Sequence, residues 1–74
     1  MNKDRRTKIA KIINEIEVVK DSLQNVLSDE QDSFDNMPEN LQSSMRAEES
    51  EDAIGIMEDV IELLENAIEE LGNI

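Results

Sequence analysis

Residues 54–71 read IGIMEDVIELLENAIEEL, and this stretch decides the fold. Its apolar residues return in alternating steps of three and four, the period of one face of an α-helix and of a coiled-coil seam. The seam of this second helix consists of Ile54, Met57, Ile61, Leu64, Ile68 and Leu71. Acids before the seam and Gly72 after it suit the two ends of a helix, so we predict one over about residues 46–72.

The apolar surface of this helix is wider than its seam. Two further rows lie beside it: Ala53, Val60, Ala67 and Ile74 form one, and Ile56 and Leu63 form the other. At about 100° per residue, the four rows together cover an arc of about 160°. A single neighbouring helix is too narrow to cover that arc.

A matching seam occupies the N-terminal half of the chain. It consists of Ile9, Ile12, Ile16, Val19, Leu23 and Val26, again in steps of three and four. Ile13 and Leu27 thicken this seam on one side, and no Gly or Pro interrupts it. We predict a helix over about residues 4–35, capped at its start by Asp4 or Thr7.

The linker between the helices covers about residues 36–45. Pro38 restricts the residue before it to extended backbone, so the first helix ends ahead of this proline. Pro38 also suits the start of a short helical turn that runs through Leu41. Ser43 or Ser44 is the predicted N-cap of the second helix.

We predict an all-α fold in which residues 1–74 form one domain, an antiparallel two-helix coiled-coil hairpin. A lone hairpin leaves the outer half of each seam in contact with water. Two hairpins paired as a four-helix bundle would cover both seams and the extra rows. We therefore expect a homodimer, or a hairpin that docks onto another protein.

The composition excludes most catalytic and metal-binding sites. The 74 residues include 19 acids and 7 bases, for a net charge of −12, and contain no Cys, His, Trp or Tyr. Without Cys or His, disulfides, zinc sites, nucleophilic triads and most acid–base sites lack their usual groups. No apolar run approaches the roughly 18 residues of a membrane span. We expect a cytoplasmic, non-enzymatic protein with no catalytic residue, no cofactor and no bound metal.

Two groups of acids have the spacing of metal sites but lack a required partner. Residues 29–35 alternate as a calcium loop does, yet Phe34 stands in place of the required Gly and Asn40 in place of the bidentate Glu. The second group has the spacing of a di-iron carboxylate box, which needs a His that this chain lacks. It consists of Glu58, Glu62, Glu65 and Glu69. We expect both groups to be solvated helix surface.

Charge is divided unevenly along the chain. Residues 1–27 carry a net charge of +2, residues 28–47 carry −4, and residues 48–74 carry −10 with ten acids and no base. The basic start of the first helix contains Lys3, Arg5, Arg6, Lys8 and Lys11. No aromatic residue accompanies these bases to stack on nucleotides. We expect them to pair with acids near the end of the second helix, within one chain or across a dimer.

The second helix presents acids along its polar face without a compensating base. Ordinary surface helices mix signs, because like charges four residues apart are destabilising. Six of the acids advance along the axis in rises of about 1.5–9 Å, which is of the order of phosphate spacing in a nucleic-acid backbone. They are Asp52, Glu58, Asp59, Glu62, Glu65 and Glu69, and we predict that they bind a basic protein.

The linker carries a further pattern, since residues 35–42 read DNMPENLQ. Together with Glu30 and Gln31 before it and the helical repeat of residues 53–68 after it, this motif resembles a group of small acidic helical-hairpin proteins. They are of mostly unknown function and come from Gram-positive bacteria and their phages and mobile elements. The resemblance covers about residues 9–71. It implies a helical hairpin and a phage or mobile-element origin, and it carries over no catalytic residue.

Two classes of function follow from these patterns. In the first, the protein inhibits or regulates a basic, nucleic-acid-handling host protein by presenting a DNA-like acidic face, as an anti-defence protein does. In the second, it is an oligomeric structural or adaptor module whose charge keeps a helical bundle dispersed. Such a module would dock through the extra apolar rows at Ile56 and Leu63. Neither class requires direct contact with nucleic acid or with a membrane.

Overall fold

The protein is described here by a computed structural model, which describes residues 1–41 and 44–74. Within these ranges the chain forms two long helices and no strand. Helix α1 spans Lys3–Asp35 and helix α2 spans Met45–Gly72, and the linker between them contains a 3₁₀ turn at Glu39–Leu41. The two helices pack against each other along their length as an antiparallel hairpin. The predicted all-α helical hairpin is confirmed.

The hairpin is a rod rather than a globule. Its Cα atoms extend over 59 × 15 × 12 Å, with a radius of gyration of 17.2 Å. A compact domain of this length has a radius of gyration of about 11 Å. Each helix has only the other as a neighbour, so most of the circumference of both helices faces solvent.

A hydrogen bond to a side chain marks the start of helix α1. The Asn2 side chain accepts a hydrogen bond from the Arg5 N–H at 2.8 Å and caps the helix. The predicted cap at Asp4 or Thr7 is wrong, because both residues already lie inside α1. The Thr7 hydroxyl instead donates to the Lys3 carbonyl at 3.0 Å. Helix α1 therefore begins at Lys3, one residue before the start that the apolar pattern predicted.

Helix α2 begins at a predicted cap. The Ser44 side chain accepts a hydrogen bond from the Ala47 N–H at 3.3 Å. The alternative cap, Ser43, lies outside the described residues. In the linker, the Leu41 N–H donates to the Pro38 carbonyl at 2.8 Å, which closes the short turn that the proline predicts.

The predicted seam of α2 faces α1. All six of its residues are buried or half-buried, with Ile54 and Ile61 the least exposed. Ala47 and Ser50 continue the same row toward the linker and are also buried. Even so, Ala47, Ile54 and Ile61 are the only buried apolar residues in the described part of the chain. One hairpin therefore has a narrow core.

The seam of α1 is turned from its predicted position. Ile12, Val19 and Val26 were expected in the contact between the helices, but they are exposed, at 46%, 56% and 54%. The neighbouring row faces α2 in their place. It comprises Ile13, Lys20, Leu27 and Phe34, all of which are half-buried.

The size of the side chains explains this rotation. Both arrangements keep Ile9, Ile16 and Leu23 against α2, and they differ only in the row packed beside them. Apolar burial contributes in proportion to the area removed from water, and Leu27 and Phe34 offer more area than two valines. Lys20 is accommodated because its aliphatic stem can cover apolar surface while its ammonium stays in water.

One polar contact sets the register of the two helices. The Ser50 hydroxyl donates a hydrogen bond of 2.8 Å to Glu30 Oε1 on the opposite helix. Ser50 is only 7% exposed, so its hydroxyl has little access to water as an alternative partner. Sliding the helices by one turn would break this bond and leave a buried hydroxyl unpaired.

Replacing Ile61 by Asp should abolish the folded state, because it places a charge in the core of the hairpin. Circular dichroism at 25 °C measures the outcome as loss of helical signal. Asn66→Asp adds the same charge at an exposed position five residues further on and should leave helicity unchanged. Comparable helicity in both variants would contradict the assigned core.

Replacing Ser50 by Ala should lower the free energy of unfolding by about 1–2 kcal/mol, since it leaves Glu30 without its partner. Urea denaturation measures this change. Ser22→Ala, at an exposed position in α1, is the control for the higher helix propensity of Ala. If both substitutions change stability equally, the contact between Glu30 and Ser50 does not set the register.

Candidate interaction surfaces

The six acids predicted to bind a partner are all exposed, and they lie on two sides of α2. At about 100° per residue, Asp52 and Asp59 point directly away from α1. The remaining acids lie about 80–130° from the direction of α1, on one broad side of the rod. This back face consists of Glu58, Glu62, Glu65 and Glu69.

The bases of α1 do not neutralise the back face. Among residues 1–41 and 44–74, one ion pair is formed, between Lys8 Nζ and Asp4 Oδ2 at 3.2 Å, and it lies within α1. The expected pairing of the basic start of α1 with the end of α2 is thus wrong for a single chain. The acids expected to take part were Glu62, Glu65, Glu69 and Glu70. An ion pair between two exposed side chains stabilises a fold by at most about 1 kcal/mol. Packing between the helices therefore decides how each helix is rotated, and that rotation fixes where the charged side chains lie.

The opposite broad side of the rod is apolar and exposed. On α1 it carries the row that packing rotated out of the core, and on α2 it carries the rows that the 160° arc predicted. This front face consists of Ile12, Val19, Val26, Ile56, Val60 and Leu63. Exposure within it ranges from 37% at Val60 to 65% at Leu63.

Two observations place both parts of the front face on one side. Each row is displaced from the α1–α2 contact by about 80–130° in the same rotational sense, and antiparallel helices bring such rows to the same side of a hairpin. In agreement, a groove of about 250 Å³ opens there, with Ile12, Ile16 and Val19 on one wall and Leu64 on the other. The hairpin therefore has an apolar front face and an acidic back face.

The nine remaining residues of the predicted oligomer seams lie in the contact within one chain. They are Ile9, Ile16, Leu23, Ile54, Met57, Ile61, Leu64, Ile68 and Leu71. Of the twelve predicted seam residues, only Ile12, Val19 and Val26 are exposed and available for contact with another molecule. The pattern that could have revealed this is the presence of three apolar rows on α1, of which one partner helix covers two.

The acids that have metal-site spacing are spread along helix surface rather than clustered. Within the described residues, no group of three or more potential ligands converges on a point. Residues 29–35 all belong to α1, where a regular helix cannot wrap around an ion, and Gln31 Nε2 donates to Asp35 Oδ1 at 3.0 Å. Neither helix contains, in its described part, an apolar stretch long enough to cross a bilayer.

Comparisons of the chain with protein-family models, with characterised proteins and with solved structures give no match. The features of the hairpin that can contact another molecule are its apolar front face and its acidic back face.

The thermal midpoint of unfolding should rise as NaCl increases from about 10 to 150 mM. The self-repulsion of the acidic segment is screened over this range, and only one exposed ion pair is present in the described residues to be weakened. Scanning calorimetry with NaCl measures the shift. A midpoint that falls steadily with salt would show that attractive charge pairs dominate.

Proposed function

We propose that the protein is a non-enzymatic interaction protein that binds a basic, nucleic-acid-handling protein through its acidic back face and thereby inhibits or regulates it. One observation carries the proposal. Glu58, Glu62, Glu65 and Glu69 lie exposed on one side of a long helix, and no described base comes within ion-pair distance of them. This charge is available to a partner.

The geometry of α2 suits a surface that normally binds a phosphate backbone. From Asp52 to Glu69 the helix rises by about 26 Å and carries six acids, so adjacent charges are on average about 5 Å apart along the axis, and about 5.5 Å apart among the four acids of the back face. One strand of B-DNA carries a phosphate about every 3.4 Å along its axis. Lysines and arginines arranged for phosphates would therefore meet carboxylates at a linear density of the same order, and long-range attraction would accelerate the encounter.

The proposal includes dimerisation into a four-helix bundle, which would cover the front faces and leave both back faces in water. It also includes a cytoplasmic location, where nucleic-acid-handling proteins of bacteria are found. The resemblance to acidic hairpin proteins of phages and mobile elements directs the proposal toward a bacterial host protein as the target. A DNA-mimicking inhibitor of a host defence enzyme is the form that this function would take.

A second function is favoured by the front face. Exposed Ile56 and Leu63 offer an apolar contact that a DNA mimic does not require. An oligomeric adaptor would use that contact to hold another protein, and its acids would serve only to keep the bundle dispersed. The two functions differ in which face the partner touches.

Reversing the charge of the back face should distinguish the DNA-mimic function from the adaptor function. The variant changes Glu58, Glu62, Glu65 and Glu69 to Lys. Proteins captured from a bacterial lysate by the immobilised wild-type chain, and released by duplex DNA, should bind this variant at least about 100-fold more weakly at 150 mM salt, because attractions become repulsions. Surface-plasmon resonance with the purified partner measures the change.

The control carries the same change in net charge away from α2. It reverses Asp4, Asp32, Asp35 and Glu39, which are exposed on α1 and the linker. Binding to the control should stay within a few-fold of wild type. If the partner instead binds the back-face variant normally but does not bind the Leu63→Asp variant, the adaptor function replaces DNA mimicry.

A further inference from the structure

The hairpin exposes more surface than a compact protein of the same mass. Its solvent-accessible area is 5737 Å² for 8.4 kDa. A compact monomer of that mass exposes about 4,600 Å². The excess, about 1,100 Å², compares with the roughly 800 Å² that each partner buries in a standard protein–protein interface. The chain therefore has enough surplus surface for one further interface.

The front face has the symmetry that a contact between two identical copies needs. Val19 lies midway between Ile12 and Val26 on α1, and Val60 lies midway between Ala53 and Ala67 on α2. The hydrogen bond between Ser50 and Glu30, and the groove that Ile16 and Leu64 line together, place Val19 and Val60 at about the same level of the rod.

A two-fold axis across the rod at that level makes the two faces self-complementary. It would stack Val19 on Val19 and Val60 on Val60 of the second copy, and Ile12 on Val26. Ile56 would likewise meet Leu63. An isologous interface has this property, since each residue pair occurs twice.

Charge selects the orientation of the second copy. The linker half of the rod, residues 20–60, carries a net charge of −10, while residues 1–19 and 61–74 together carry −2. If both linkers lay at one end, that end would carry −20 and the other −4. With the linkers at opposite ends, each end carries −12. Because self-repulsion grows as the square of local charge, the second arrangement is favoured.

A specific pair of charges agrees with this orientation. Lys8 and Asp29 lie in the same row at the edge of the front face, about equally far from Val19 in opposite directions. With linkers at opposite ends, Lys8 of each copy comes beside Asp29 of the other. With linkers at the same end, Asp29 would instead approach Glu49 of the second copy.

We infer that the front face is the docking site for a second copy of this chain, which lies antiparallel to the first with its linker at the opposite end of the bundle. This inference specifies the dimer that the proposed function includes, whereas binding through the back face does not depend on it. The two acidic back faces then point away from each other on opposite sides of the bundle. One dimer consequently binds two partner molecules.

Sedimentation equilibrium tests the face. The wild-type chain should be a dimer at micromolar concentration, and Val19→Asp should raise the dissociation constant at least about 100-fold, since two charges would meet on the axis. Gln24→Asp adds the same charge to α1 on the opposite side and should leave the dissociation constant within a few-fold of wild type. A monomeric wild type, or equal dissociation of both variants, would overturn the inference.

Spin-label distances test the orientation on a chain with an intact front face. The chain has no cysteine, so Lys3→Cys provides one label per copy. Linkers at opposite ends predict about 48 Å between the two labelled backbones, from 32 residue rises in total, and linkers at the same end predict less than about 25 Å. The short distance would overturn the proposed orientation. Neither experiment involves a partner, so the dimer and the acid-face function fail or stand separately.

Discussion

Two helices can cover only one side of each other, and the rest of the structure depends on this constraint. Each helix offers more apolar rows than a single neighbour can bury, so one row on α1 remains exposed, and on α2 so do Ile56, Val60 and Leu63. The side chains with the most area are buried first, which places Leu27 and Phe34 inside and leaves Val19 and Val26 outside. The exposed rows then meet on one broad side, because antiparallel helices bring them there. A narrow core and an apolar front face thus have the same cause.

Apolar packing, and not pairing between charged side chains, determines how the two helices are rotated. The back face of α2 is free of described ion pairs, and the bases of α1 do not reach it. Its acids are therefore a cost to the isolated hairpin, which they destabilise by mutual repulsion. The apolar and acidic faces lie on opposite sides, so a contact at one leaves the other accessible.

Much of the fold follows from the sequence, and the misses have identifiable physical reasons. The α2 seam, the Ser44 cap and the Pro38 turn were predictable because one strong local signal acts at each position. The face of α1 was not, since three apolar rows compete there and only tertiary packing decides between them. The Asn2 cap was missed because it precedes the first apolar residue by a full two turns. For the candidate site, exposure of Glu58, Glu62, Glu65 and Glu69 followed from their helical phase, whereas the front face required knowing which α1 row is buried.

The central claim is that the front face is covered in the folded protein by a second chain. The most direct measurement is the thermal midpoint of unfolding as a function of chain concentration from about 1 to 100 µM. Folding coupled to dimerisation makes the midpoint rise with concentration by mass action, and this is the predicted result. A cooperative transition whose midpoint is the same across that range would show that the hairpin is stable alone, and it would contradict the account.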